Sequence, residues 1–214
     1  MSAAARIAIV DYGMGNRRSV EKALEHVGAH PLVTRDASAI ARADGLIVPG
    51  VGAFPRAMEN LSRLGLCEPL LERARSGVPL LGICLGMQLL FESSTELGGA
   101  PGLGLLGGSV DGLEVGDRRL PHIGWNVVRW LRPSPLTTGL PEACAFYHVH
   151  SFAPRPGSPD DELGTATYGE SFVSAVQRDS IFGVQFHPEK SSTHGLRLLA
   201  NFAAVCAGEA QVAA

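Results

Sequence analysis

The stretch "VPLLGICLGMQLLFESS", residues 78–94, joins two apolar runs through Gly82, Ile83, Cys84, Leu85 and Gly86. Its first part, VPLLGIC, is short, continuous and bounded by turn-forming residues, which predicts a strand buried on both faces. A cysteine confined to a core needs no flanking glycines, although a buried structural cysteine is the plain alternative. At a sharp strand-to-helix elbow, small neighbours relieve crowding while the central side chain is pushed outward, as in the G-x-S-x-G turn. Cys84 then stands at the start of a helix whose dipole favours a thiolate. The Leu85 N–H points where an oxyanion would form.

Outward from this elbow, the N-terminal half alternates strands and helices. RIAIVDY (6–12) reads as a buried strand ending at the glycine turn Gly13–Gly15. A helix is predicted from Asn16, an N-cap residue, to Gly28, a C-cap residue, with Val20, Ala23, Leu24 and Val27 on one face. PLVTR (31–35) and DGLIVPG (44–50) are the next strands, and helical segments fill 54–75. Such alternation implies parallel crossovers and a sheet covered on both sides.

After Gly98 the texture changes to short apolar segments separated by turns. FVSAVQRDSIFGVQF (172–186) predicts a hairpin turning near Arg178–Ser180, and HGLRLLANFAAVCAG (194–208) a closing helix. That helix gathers Leu196, Leu199, Phe202, Ala203 and Cys206 on one side. The expected fold is α/β: one domain over 1–208, a mostly parallel central sheet with helices on both faces, a hairpin-rich C-terminal half, and a frayed tail at 209–214.

Composition narrows the function classes. The 214 residues carry 18 basic against 21 acidic side chains, with no basic block, so nucleic-acid binding has little electrostatic support. No stretch approaches the roughly 18–20 apolar residues that span a bilayer, and the N-terminus lacks a signal-type apolar core. No membrane association and a cytoplasmic location are the expectations. Cys67, Cys84, Cys144 and Cys206 form no C-x-x-C pair, which disfavours a disulfide framework and a thiolate metal site.

A cysteine nucleophile needs a base, and the base an orienting group. VQFHPEKS (184–191) offers both, because Pro188 holds His187 extended and residues two apart then project to the same side. Glu189 can approach one ring nitrogen while the other faces Cys84; the bland reading is a surface turn. VPGVGAF (48–54) adds a loop in which Gly50 and Gly52 can take angles closed to other residues, turning a second N–H toward the oxyanion. His148 and His150 in YHVHSF share a strand face, where a structural or substrate-wall role outweighs metal binding because no further ligands recur nearby.

Taken together, G-I-C-L-G-M-Q, H-P-E and P-G-V-G resemble the class I, triad-type glutamine amidotransferases. The stretches D-Y-G-M-G-N (11–16), P-G-V-G-A-F (49–54), P-H-I-G-W-N (121–126) and H-P-E-K-S (187–191) narrow the likeness to the glutaminase subunits of imidazole glycerol phosphate synthases. The resemblance implies a Cys84–His187–Glu189 triad and an oxyanion site at Gly50, Val51, Gly52 and Leu85. It further implies glutamine contacts at Gln88, Glu96, Ser151 and Phe152, the last standing where tyrosine is often found. It implies no cofactor and no metal.

The implied partner is a separate cyclase subunit with a (β/α)₈ barrel, which alone typically needs about 250 residues. The resemblance places Asn16 and Trp125 near that interface, although Trp125 reads equally well as core. Lys190, one of only two lysines with Lys22, is a compact cation suited to gate or anchor the same surface. Competing readings are a glutaminase for another acceptor, such as pyridoxal phosphate synthesis, and a non-catalytic partner-binding module.

Overall fold

The computed structural model describes residues 5–209, so the expected tail falls, from Ala210 onward, outside the described residues. The elements are β1 (Arg6–Val10), α1 (Arg17–His26), β2 (His30–Thr34), α2 (Ala37–Ala41), β3 (Gly45–Gly50), α3 (Phe54–Arg63), α4 (Cys67–Arg75), β4 (Leu80–Cys84) and α5 (Leu85–Gln88). The chain continues through β5 (Ser93–Ser94), β6 (Ala100–Pro101), β7 (Gly108–Gly112), β8 (His122–Trp130), β9 (Ala143–His150) and β10 (Phe152–Pro156). It ends with β11 (Glu162–Tyr168), β12 (Glu170–Arg178), β13 (Ile181–Val184) and α6 (Ser192–Cys206).

A nine-stranded sheet, ordered β2-β1-β3-β4-β13-β12-β11-β8-β9, runs through the molecule. From β2 to β13 the neighbours are parallel; from β13 to β9 they are antiparallel. The parallel part is the α/β layer that the alternation of elements predicts. The C-terminal hairpins extend the same sheet, with β12 and β13 turning at Asp179 as expected. A small four-stranded sheet, β10-β7-β5-β6, flanks it.

Strand periodicity divides the core in two. Ile7 and Ile9 of β1 face one side with Val20 and Leu24 of α1 and Leu198, Leu199 and Phe202 of α6. Ala8 and Val10 face the other, with Ile40 of α2, Phe54 and Leu61 of α3 and Leu70 of α4. Every residue of β3 and β4 is buried, because helices cover both faces there. Burying each large aliphatic side chain contributes roughly 1.5–3 kcal/mol, so this double layer holds the elbow between β4 and α5 rigidly.

The outer hairpin is different. Strand β9 alternates half-buried and buried positions, while β8 exposes Ile123, Trp125 and Val127 on one face. Trp125 is 56% exposed, which removes the reading of it as core.

Candidate active site

Cys84 terminates β4 with φ 55° and ψ −114°, backbone angles that strain any residue other than glycine. That strain marks a genuine elbow. The flanking glycines are steric necessities: a Cβ on Gly82 would lie 2.6 Å from the Gly86 carbonyl oxygen, and one on Gly86 would collide with the Val48 carbonyl. Helix α5, however, is a single turn, Leu85–Gln88, so the macrodipole invoked for Cys84 is short. Support for a thiolate must come largely from side chains.

Gly50 ends β3 directly opposite Cys84 in the parallel ladder. Its φ is not in the left-handed region expected from the loop motif; instead, a Cβ there would lie 2.7 Å from both Leu85 Cβ and the Tyr12 hydroxyl. Gly52 does take positive φ, at 104°. Tyr12 donates to the Pro49 carbonyl at 2.6 Å, pinning the start of this loop from below. Burial, followed by the charge of Cys84, pushes the Tyr12 phenol above its usual range.

His187 is buried in the extended segment after β13, and its N–H donates to the Tyr147 carbonyl at 2.9 Å. Its Nδ1 lies 2.9 Å from Glu189 Oε1, and both side chains are almost wholly buried. His187 itself is extended, as the following Pro188 predicts, but Pro188–Lys190 closes into a single 3₁₀ turn. It is this turn, and not the extended alternation expected from the sequence, that brings Glu189 onto the ring. Ser191 buttresses it by donating to the His187 carbonyl at 2.7 Å and accepting the Tyr147 N–H at 3.0 Å. Cys84 lies against the same ring. Burial pulls the imidazole's pKa down, but hydrogen bonds to Cys84 and Glu189, with their charges, outweigh it and raise the pKa to about 10. Its two partners thus favour the protonated form of the ring against the effect of burial.

A cavity of about 250 Å³ opens above the sulfur. Its lining includes Val51, Gly52, Cys84, Leu85, Gln88, Glu96, Ser151, Phe152, His187 and Lys190, which the sequence motifs single out. The volume is just below the range typical of drug-sized ligands, and suits one amino acid. Glu189 stands behind His187 and does not line the cavity. Glu96 accepts the Phe54 N–H at 2.7 Å, so one carboxylate oxygen caps α3. Asn16 precedes α1 without a side-chain cap bond, outside the cavity lining. Trp125 packs edge-on against Tyr147, and the Lys190 ammonium lies 6.0 Å from the centre of that same ring.

Several residues carried no separate sequence signal. Gln185, completely buried, places Nε2 3.7 Å from the Cys84 sulfur and Oε1 3.0 Å from Gln88 Nε2. His122 pairs with His150, Nδ1 to Nε2, at 3.0 Å. His148 and His150 share a buried face, as strand alternation predicts, and their ring nitrogens are spent on Ser174, His122 and backbone carbonyls. Pro121 and Val149 complete the wall. Tertiary partners define these roles, and no local pattern announces them.

Comparison with known proteins agrees with this architecture. The family profile "Glutamine amidotransferase class-I" matches residues 8–206. "Imidazole glycerol phosphate synthase subunit HisH" of Moorella thermoacetica is 52% identical, covering 92% of this chain and 93% of that protein. The protein of the same name from Salinibacter ruber is 48% identical, over 92% and 93% of the two chains. Among solved structures, that of a glutamine amidotransferase superposes with a TM-score of 0.73 at 22% identity, covering 94% of this chain and 98% of that one. A putative GMP synthase protein from Thermoplasma acidophilum superposes at 0.72 with 20% identity, over 97% and 96%. At such identities the superpositions speak for the fold alone; the sequence relatives carry the finer assignment. The chain belongs to the class-I glutamine amidotransferase family and, within it, to the HisH subunits of imidazole glycerol phosphate synthase.

Proposed function

We propose that this chain hydrolyses the side-chain amide of glutamine through a thioester on Cys84. The ammonia released passes to a separate cyclase subunit that makes imidazole glycerol phosphate in histidine biosynthesis. The observation that carries the reading is the convergence of a strained cysteine, a buried imidazole paired with a buried carboxylate, and an amino-acid-sized cavity.

The sulfur attacks the amide carbon as a thiolate, and the carbonyl electrons move onto oxygen. Backbone N–H groups of Leu85 and of the Gly50–Val51–Gly52 loop receive that oxyanion; one such donor is typically worth about 2.7–4 kcal/mol of barrier. His187 gives its proton to the departing nitrogen, so the leaving group is ammonia and the C–N bond breaks. The neutral ring next takes a proton from water, whose oxygen attacks the thioester and frees glutamate and the thiolate. Glu189 holds the ring orientation and offsets its charge throughout. Gln88, Glu96, Ser151 and Phe152 hold the backbone end of glutamine.

Ammonia is useful only before it is protonated, since ammonium has no lone pair with which to attack carbon. That requirement favours delivery into a docked partner, for which a (β/α)₈ cyclase is the reading. The exposed Ile123–Trp125–Val127 face, Lys190 and Asn16 are assigned to that contact. Among the described residues no helix is long and apolar enough to cross a membrane, and the reaction suits the cytoplasm.

Labelling with a glutamine-mimicking electrophile, followed by mapping the modified residue, tests the reading. Modification confined to Cys84 and blocked by glutamine is expected; modification elsewhere with Cys84 untouched contradicts it.

A further inference from the structure

Resting on that reading of Cys84 as the nucleophile, we propose that Gln185 stabilises its thiolate by holding an amide N–H, and not its own carbonyl, against the sulfur. A glutamine side chain fits either way round, and the two orientations have opposite effects. A donor favours the charged sulfur, whereas an acceptor favours the neutral thiol. The network around Gln185 decides between them.

The deciding group is the Phe152 carbonyl, which can only accept. Gln88 Nε2 lies 3.0 Å from it and 3.0 Å from Gln185 Oε1. The Gln88 amide thus turns its NH₂ to both neighbours and spends its two hydrogens on them. The Gln185 atom facing Gln88 must be the oxygen, which leaves Gln185 Nε2 to donate to Cys84 Sγ at 3.7 Å, within range for sulfur. A flipped Gln185 would set two NH₂ groups against each other.

A second donor holds the Phe152 carbonyl in place: His150 Nδ1, at 2.9 Å. His150 Nε2 is consequently bare and accepts from His122 Nδ1 at 3.0 Å. His122 Nε2 in turn accepts from Asn126 Nδ2 at 3.3 Å, and that amide also donates to the Thr167 carbonyl at 3.0 Å. The direction of every bond from Asn126 to Cys84 follows from two backbone carbonyls, and both imidazoles are neutral in it. Burial pushes His150 down to about 3 against the Phe152 bond, consistent with a neutral ring.

The sulfur needs such a donor. The Val149 carbonyl oxygen lies 3.7 Å from it and accepts from a thiol but repels a thiolate. Helix α5 is one turn long. His187 supplies one favourable contact, and Gln185 adds another that cannot itself lose a proton. Gln185 contacts the reacting atom; Gln88, His150 and His122 act on it as positioning residues.

The test is the pH dependence of Cys84 alkylation by iodoacetamide in the full-length chain, mapped by peptide mass. The ionisable groups around the sulfur are His187 with Glu189 behind it, the Tyr12 hydroxyl, and Glu96, His150 and Lys190 on the cavity wall. All are unchanged in the variants used. Gln185→Met, similar in length but without a donor, is expected to move the alkylation midpoint upward. The rate below the midpoint should fall roughly three- to tenfold. Gln88→Met, which frees Gln185 to turn over, is expected to shift the midpoint the same way by less, and decides the matter alone where Gln185→Met does not fold. Midpoints that superimpose on the wild type in folded variants overturn the inference and leave the nucleophile reading standing. A wild-type Cys84 no more reactive at neutral pH than Cys67 overturns both.

Discussion

Gly50 and Cys84 face each other across the last rung of the parallel ladder between β3 and β4, and nothing larger than hydrogen fits on Gly50. The loop that follows Gly50 and the elbow that starts at Cys84 are therefore built against one another. Gly50→Ala is expected to cost about 1–3 kcal/mol of stability by overpacking against Leu85 and Tyr12. It should also lower glutaminase turnover, because the loop must move away from the sulfur. Thermal unfolding with turnover on the same sample checks this; an unchanged melting temperature counts against the close approach.

Glu189→Gln removes the charge behind His187 while keeping the volume. The raised imidazole pKa should fall from about 10 toward the ordinary histidine range, since Glu189 contributes both a hydrogen bond and a charge. Turnover should drop on the order of 10²–10⁴-fold. Histidine NMR titration and steady-state kinetics read the two effects. A titration that stays put while turnover collapses would assign Glu189 a different task.

The buried histidines predict opposite pH trends in stability. His150 titrates at about 3 in the folded chain, so below its unfolded value near 6.5 the unfolded chain binds the extra proton. Stability from this group is present above pH 6.5 and declines as pH falls toward 3; His148, also shifted well down by burial, acts in the same direction. His187, raised to about 10, contributes fully below pH 6.5 and loses its contribution as pH rises through 10. Denaturant unfolding against pH should show both limbs. His150→Asn should flatten the acid limb alone; an acid limb identical to the wild type would contradict the assignment.

Trp125 lies on an open strand face, so Trp125→Ala should leave the melting temperature of the isolated chain nearly unchanged. A buried aromatic at an interface centre commonly costs 2 kcal/mol or more when truncated, so affinity for the cyclase subunit should fall by roughly thirtyfold or more. Titration calorimetry distinguishes this from a solvent-facing residue, for which affinity would not move.

Much of this was legible in the chain. Strand β4, the elbow and the extended His187 follow from local rules: a continuous apolar run, glycines where backbones touch, and an extended residue before proline; the 3₁₀ turn that carries Glu189 does not. The region 54–75 reads as helical, but Gly65, at positive φ, divides it into α3 and α4. Helix α2 and the long β8–β9 hairpin carry weaker periodicity, because one is five residues long and the other leaves one face in solvent. Gly50 signals a glycine requirement correctly but for a tertiary reason, the Tyr12 hydroxyl. Gln185 and His122 were silent, because a polar residue inside an apolar strand acquires meaning only from the groups it meets.

The central claim is that Cys84 alone opens glutamine and that the ammonia reaches the partner's acceptor. The measurement is imidazole glycerol phosphate formation by the complex carrying Cys84→Ala, supplied in turn with glutamine and with ammonium salts at a pH that provides free ammonia. Synthesis from glutamine should vanish while synthesis from ammonia persists at the wild-type rate. Continued glutamine-dependent synthesis by that variant would contradict the account.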